Sequence, residues 1–579
     1  MIEKIRELNI ADVTTESDYK ETLSLLLNVV EELWVSLKVS EDTNQELRDE
    51  ISRLKGGNEK PKFESKLEKD RVEKDWSSKK EELGKDKSKS EVGSRLKKSE
   101  DLKITVIKSY QEKPPNLPAD AYKISDLERI QQELRIERDV VLYKIGRWYS
   151  PSEGKTYSSL TGDLRTGGYG SGLQSFMTIL NQSCDVTQGK LKGLLEMYGI
   201  RISKGTISSL LNRGEAWVKK ERAEILQAGV QYSPYIQSDS TQSKEFGKSQ
   251  KTHIFGSDAF SVFYTTGGKS RLDLLLALQD MPIDGLDLSY NEYSERLLLE
   301  STISDKHLPV IATLFEEIAE TCVDLPASSA SSASSSATIK MSDFELLLEQ
   351  QAPELVQKTT VVKRIKECLA LGHYWARTDI AILEWLLSDN APEYRTLART
   401  AQGLCWVHDA RNYTKLMPKN LYFENILNEF ITQYWQFYRK LIDFKEQNAP
   451  QQESLRAALE AEFIKLFSTK TPYDALNQWI SHSLKHKKQL LAVLINPALP
   501  LHNNAAELAA RRIVRKRDIS LHTMSHTGTS VRDGFLSIIQ TAQKLNINPL
   551  LYIAEAIANN FTTNLSLAQI IQRYYTVSV

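Results

Sequence analysis

Residues 378–413, "TDIAILEWLLSDNAPEYRTLARTAQGLCWVHDARNY", decide how the chain is read. An apolar run ends at Asp389, a helical stretch passes through Tyr394 and Leu397, and a second short apolar run occupies 403–407. Runs this short and this apolar fit strands buried on both faces, and strand, helix, strand in succession is a parallel α/β unit. In such a sheet the natural ligand position lies at the carboxyl ends of the strands, which is where Asp389 falls.

A second acid lies upstream. "YSPYIQSDSTQS" places Asp239 at the end of a short extended run, and "KTHIFGSDAFSVFYTT" after it reads as a hairpin turning at Ser257–Asp258. An acid just past a strand is common in ordinary turns, so Asp239 alone signals little. A third acid lies in "PLHNNAAELAARRIVRKRD" at 500–518, where Asn503 or Asn504 can start a helix whose first turns hold Glu507. The basic run behind it, Arg511, Arg512, Arg515, Lys516 and Arg517, is either a solvated helix face or a contact for the DNA backbone. Its position directly after Glu507 favours DNA. Carboxylates delivered by two strand ends and one helix can hold two divalent ions roughly 4 Å apart, one activating a water or a DNA 3′-hydroxyl, the other stabilising the leaving oxygen. Mg²⁺ or Mn²⁺ suits such oxygen donors.

Bulk properties set the frame. A chain of 579 residues exceeds one ordinary core, so several domains or a core with insertions are expected. With 75 basic and 76 acidic side chains the net charge is -1, so any DNA contact must come from local patches. Four cysteines without a C-x-x-C pair exclude a disulfide scaffold and an ordinary zinc ribbon. The N-terminus lacks a signal-peptide pattern, and no apolar run reaches the roughly 20 residues that cross a membrane. A soluble protein of the cytoplasm with no membrane partner is expected.

The organisation follows from changes of texture. Residues 1–55 read as a coiled-coil oligomerisation helix, with Leu23, Val30, Leu37, Asn44 and Ile51 at one seam position and Leu26, Leu33, Ser40, Leu47 and Leu54 at the other, although an amphipathic helix packing on its own domain would carry the same stripe. Residues 56–102 are a charged linker, 103–173 a small β-rich region, and 174–224 a helical region. Within the latter, "TQGKLKGLLEMYGIRISKGTISSLLNRG" has the logic of a helix-turn-helix, turning at Tyr198–Gly199 and restarting at Ser203. Generic helical hairpins share that pattern. Lys204 and Thr206, opening the second helix, are the DNA-contact candidates there. Residues 225–301 form the first part of the α/β core, 302–378 an insertion with the Ser-rich segment at 326–340, 379–409 the second part of the core, 410–500 a helical insertion with aromatic core candidates, and 501–579 the last core helix and tail.

From about residue 110 to 560 the chain resembles the insertion sequence 66 family of transposases, a branch of the DDE transposases with a ribonuclease H-like catalytic core. The resemblance rests on "SDST" with Asp239, "SDNAPEY" with Asp389, "CWVHDARNY" at 405–413, "NNAAELAARRIVRKRD" at 503–518, "NPLLYIAEAI" after it and "KGTISSLLNRG" upstream. It implies an α/β fold with a ribonuclease H-like core carrying large helical insertions, beside the coiled coil and a small β/helical DNA-binding region. It also implies that Asp239, Asp389 and Glu507 are catalytic and bind two Mg²⁺ or Mn²⁺ ions. His408 and Arg411 would lie beside them. Partners would be double-stranded DNA at transposon ends and targets, further copies of the chain and possible helper proteins, at a bacterial nucleoid. The family often has an acid after the first Asp and Arg after the Glu, where this chain has Ser240 and Leu508. Many members carry a cysteine-rich segment after the coiled coil, whereas no cysteine precedes Cys184 here.

A different reading is a catalytically inactive descendant acting as a DNA-binding or repressor protein. Cys405 and His408 have metal-like spacing, with Cys368 and His373 as conceivable partners. One such pair is half a zinc site, so a packed cysteine with a polar histidine is the preferred reading.

Overall fold

Among the described residues nine strands form, of which five build a central sheet. The computed structural model describes residues 15–54, 118, 121, 131, 133–134, 136–158, 168–281, 285–301, 308–322 and 338–577. Strands β1 (Arg147–Ser150) and β2 (Lys155–Ser158) pair with each other as an exposed hairpin. The central strands are β3 (Ile236–Glu245), β4 (Lys248–Gly256) and β5 (Ser261–Thr266), followed, after the small pair β6 (Asp287–Ser289) and β7 (Thr338–Lys340), by β8 (Trp385–Ser388) and β9 (Ala401–Leu404). Their order is β5-β4-β3-β8-β9. The first three run antiparallel, whereas β3, β8 and β9 run parallel.

The helices that bear on the site are α1 (Glu16–Leu54), α2 (Gln188–Met197), α3 (Lys204–Leu211), α4 (Trp406–Thr414), α5 (Leu421–Glu446), α6 (Ala449–Phe467), α7 (Asp474–Lys485), α8 (Asn504–Ser520) and α9 (His526–Lys544). Alternation along the strands covers both faces of the sheet, since successive side chains point to opposite sides. Ile254 and Phe263 pack with Ala509, Ala510 and Ile513 of α8, where two alanines in a row allow helix and sheet to approach closely. Phe255 and Val262 belong instead to the large core on the other side, with Ile225, Leu226 and Ile538. Burying a side chain such as Ile513 contributes about 1.5–3 kcal/mol. The outer edge of β5 is covered by α9: Ser537 Oγ accepts the Phe263 N–H at 2.9 Å, and Thr541 Oγ1 accepts that of Ser261 at 3.2 Å. These hydroxyls take up donors that an open edge would offer to another chain.

A separate aromatic core gathers α4 to α7 around Trp406, whose ring centroid lies 5.2 Å from Tyr434, 5.7 Å from Phe437 and 6.1 Å from Phe463. Helix α1 docks on this helical segment through polar groups. Asn28 donates to Pro472 O at 2.7 Å and accepts the Asp474 N–H at 2.9 Å, while Glu31 Oε1 accepts the N–H groups of Lys419 and Asn420 at 2.6 and 3.3 Å. Seam residues Leu23, Leu26, Val30, Leu33 and Leu37 are all exposed. The side chains of Asn44, Leu47, Ile51 and Leu54 lie outside the described residues.

Several local expectations change. The stretch through Tyr394 and Leu397 is not an α-helix but a single 3₁₀ turn, Pro392–Tyr394. Asp389 Oδ1 accepts the Ala391 N–H at 3.1 Å, Pro392 supplies no donor, and Thr396 takes φ 60°, so no helical ladder can propagate. The second apolar run starts as β9 at Ala401, and Trp406 already begins α4. Asp239 lies inside β3 rather than past its end, because the strand runs on to a turn at Phe246 and Gly247, both with positive φ. The expected β-rich region shows only β1 and β2 from residue 136 onward, and its "ITVIKSY" run lies outside the described residues. The charged linker at 56–102 and the Ser-rich stretch at 326–337 also lie outside them.

The described residues divide into two compact units, one within Met1–Glu59, Tyr143–Met197 and Arg201–Val579, the other within Lys60–Leu142 and Tyr198–Ile200. No described helix is long and apolar enough to cross a membrane.

Candidate active site

The sheet register brings the first two acids together. Strand β3 pairs with β8 in parallel, Ile236 opposite Leu386 and Gln237 opposite Leu387. Asp239 and Asp389 each lie two residues beyond the last pair of that ladder, close enough that the charge of Asp389 raises Asp239. Helix α8 supplies the third acid. Asn503, one of the two asparagines read as able to start that helix, stands at its N-cap, but its side chain donates to Ser238 O at 2.8 Å rather than capping, while its own N–H points to Cys405 Sγ at 3.3 Å. One asparagine therefore ties the start of α8 both to the residue before Asp239 and to the residue that opens α4. Glu507 follows one turn later.

Charge accumulates there. Asp239 is pushed up to about 6, first by burial and then by Asp389 and Glu507, against the Ser240 N–H that its Oδ1 accepts at 2.8 Å. Arg411 of α4 approaches Glu507 Oε2 at 3.4 Å and lowers Asp239 in turn. His408 Nδ1 stands 3.6 Å from Glu507 Oε1, and burial followed by repulsion from Arg411 lowers the imidazole, which favours the neutral ring. Both atoms of that last pair are buried without a hydrogen-bond partner. Two buried, unpartnered polar atoms beside a carboxylate raised by burial suit a cation. Asp239, Asp389 and Glu507 are oxygen donors of the type a hard divalent ion such as Mg²⁺ prefers, and they lie near enough to feel one another's charge without closing to ligand spacing as a trio. Cys405 Sγ, a His408 nitrogen and a Glu507 oxygen form a further group, all within 4.8 Å of one another.

The acids are braced from behind. Ser240 Oγ lies 2.8 Å from His253 Nδ1 and 2.9 Å from the Tyr394 hydroxyl, and His253 Nε2 lies 2.7 Å from Thr266 Oγ1. Burial lowers His253 to about 4. On the other side, Asn390 Nδ2 lies 3.2 Å from Nε2 of both His482 and His486, joining the loop after Asp389 to the end of α7. The sequence reading missed Ser240 as a bracket, Tyr394, Asn390 and the two histidines. Tyr394 and Asn390 sit in the quoted motif "SDNAPEY", which was the available signal; nothing local marks His482 and His486.

The basic run divides. Arg511 and Arg515 are exposed and Arg512 half-buried. Lys516 donates to Asn181 O and is lowered to about 8 by burial, while Arg517 donates to Gln242 O at 2.6 Å. The last two thus hold the chain's own backbone. In the helical hairpin, Gly199 takes φ 72°, Ser203 Oγ accepts the Thr206 N–H at 3.0 Å, Thr206 is half-buried and Lys204 exposed.

Residues 385–530, which include Asp389 and Glu507, match the model of the family described as Transposase IS66 family. The chain is 28% identical over 337 residues to the uncharacterized protein y4jO of Sinorhizobium fredii, a match covering 57% of this chain and 94% of that protein. No solved structure matches the chain.

Proposed function

With residues 385–530 identified as an IS66-family transposase domain, we propose that the chain is a DNA transposase that cleaves and joins DNA strands with Asp239, Asp389 and Glu507 as its catalytic acids. The observation that carries this reading is their convergence from the central strand, the end of its parallel neighbour and the helix that Asn503 ties to the first of them. The strand order β5-β4-β3-β8-β9, with three antiparallel strands followed by two parallel ones, supports a ribonuclease H-like core.

The three carboxylates would hold two divalent ions, whose chemistry when bound is to activate an attacking hydroxyl and stabilise the leaving oxygen of an in-line phosphoryl transfer. Asp239 and Asp389 orient from rigid strands, which limits their freedom to swing. Asn503 fixes the entry of Glu507. Arg411 is half-exposed beside Glu507 and is suited to a DNA phosphate, and neutral His408 leaves the local charge to the acids. Arg511, Arg512 and Arg515 extend a basic face along α8 for the DNA backbone. Lys204 and Thr206 of α3 would serve end recognition if the hairpin enters a groove. The exposed leucine seam of α1 suits a coiled coil with a second copy.

The test is a Mg²⁺-dependent cleavage and strand-transfer assay on the inverted repeats that flank the gene, with Asp389→Asn beside the wild type. Cleavage by the wild type alone is expected. Equal inertness of both with end binding retained would instead support the inactive DNA-binding descendant.

A further inference from the structure

The all-oxygen cluster has a neighbour of different chemistry. Cys405 Sγ, His408 and Glu507 present sulfur, nitrogen and oxygen within 4.8 Å of one another. A tetrahedral Zn²⁺ with bonds near 2.0–2.3 Å sets its ligand atoms about 3.3–3.6 Å apart. His408 Nδ1 and Glu507 Oε1 already stand 3.6 Å apart, buried and without hydrogen-bond partners. Arg411 approaches Oε2 and leaves Oε1 free. The Asn503 N–H points to the sulfur at 3.3 Å, a contact that a bound thiolate would accept, although burial pushes the free thiol up to about 11. Sequence spacing alone made Cys405 and His408 half a site; the fold brings the third donor from a residue far along the chain.

We propose that Cys405, His408 and Glu507 form a binding site for a thiophilic divalent cation of the Zn²⁺ class, held by Sγ, Nδ1 and Oε1 with solvent in the remaining position. On binding, the Cys405 thiol releases its proton to solvent, and no oxidation or reduction is involved. A soft sulfur donor selects against Mg²⁺ and Mn²⁺, so the two donor sets discriminate between ions. Where the transposase reading holds, Glu507 belongs to both sets. An ion bound at the sulfur side withdraws Glu507 from the oxygen side, so micromolar-class Zn²⁺ acts as an antagonist of Mg²⁺-supported cleavage.

The binding claim is tested on the full reduced chain with Co²⁺ as the probe. A thiolate-to-cobalt charge-transfer band saturating at one equivalent is expected, displaced by Zn²⁺ and unmoved by excess Mg²⁺. Cys405→Ser and His408→Ala should lose the band, while Cys184→Ser and Cys368→Ser keep it. Asp239→Asn and Asp389→Asn should also keep it, which separates this site from the carboxylate cluster and makes the result independent of DNA cleavage. X-ray absorption of the Zn²⁺-loaded wild type provides a variant-free check, with one sulfur expected at about 2.3 Å. No band, a band that survives Cys405→Ser, or a zinc shell without sulfur would overturn the proposal.

Discussion

His408 and Asp409 are neighbours on α4, yet they face two environments that treat buried polar groups in opposite ways. Asp409 points into the aromatic core, where Ser483 Oγ donates to its carboxylate at 2.8 and 2.9 Å and the Tyr434 hydroxyl at 3.1 Å. His408 points to the sheet end, where its Nδ1 and Glu507 Oε1 are left unmatched. Asp239 at that end and Asp409 in the core are both pushed up to about 6, and burial is the first cause for each. The shift alone therefore does not separate a structural acid from a reactive one. What separates them is the company: hydroxyl donors around Asp409, further carboxylates around Asp239.

The largest effect should fall on the reaction. Asp389→Asn or Glu507→Gln is expected to reduce Mg²⁺-dependent cleavage by at least about a thousandfold with the melting temperature nearly unchanged, checked by single-turnover assays and calorimetry. A comparable loss of folding would erase the contrast with Asp409.

Next comes Asp409→Ala, which strands the donors of Ser483 and Tyr434 and opens space in the aromatic core. A destabilisation of about 2–4 kcal/mol in urea titration is expected. If Asp409 proved as dispensable to stability as the acids of the sheet end, the division drawn here would fail.

Asp239→Asn should do the reverse. Its carboxyl is raised in the fold from the ordinary 3.8 to about 6, so the folded state binds the proton more tightly than the unfolded chain. Its contribution to stability is full below about pH 4 and is lost as pH rises through about 6. Without divalent ions at pH 7.5 the variant should melt a few degrees above the wild type, with the gain fading as pH falls through about 6 and gone below about pH 4. Added Mg²⁺ should narrow the difference by stabilising the wild type.

The smallest thermal effect belongs to α1, where the same division runs along one helix. Asn28 and Glu31 are saturated against the helical insertion, while Leu26 and Leu33 face solvent. Leu26→Asp with Leu33→Asp should halve the mass seen by light scattering while moving the melting temperature of the remaining fold by less than about 2 °C, since exposed positions tolerate change.

Much of the sheet was legible because its strands are short apolar runs closed by turns: the hairpin at Ser257–Asp258 and the strand ending before Asp389 stand where their residues put them. The crossover after Asp389 was misread, since Tyr394 and Leu397 have helical spacing but are buried from a 3₁₀ turn that Pro392 and the Asp389 side chain impose. Asp239 stands out as a candidate by its neighbours in sequence, though its place inside a long strand depends on pairing with β4 that no local signal specifies. The histidines at 482 and 486 were invisible because what joins them to Asn390 is tertiary, across a stretch of unrelated helix. The two-sided role of Asn503 was hidden for the same reason.

That asparagine also marks when, during synthesis, the three proposed acids can come together. Asp239 and Asp389 leave the ribosome well before Glu507, by roughly ten seconds at common rates of synthesis. Until Asn503 arrives to bond Ser238 O, the acids lack their third member, and until α9 follows, the edge of β5 has no hydroxyls to cover it. A nascent chain would therefore lack the proposed active site yet be open to strand pairing with its neighbours, so premature termination after residue 409 would yield an aggregating fragment.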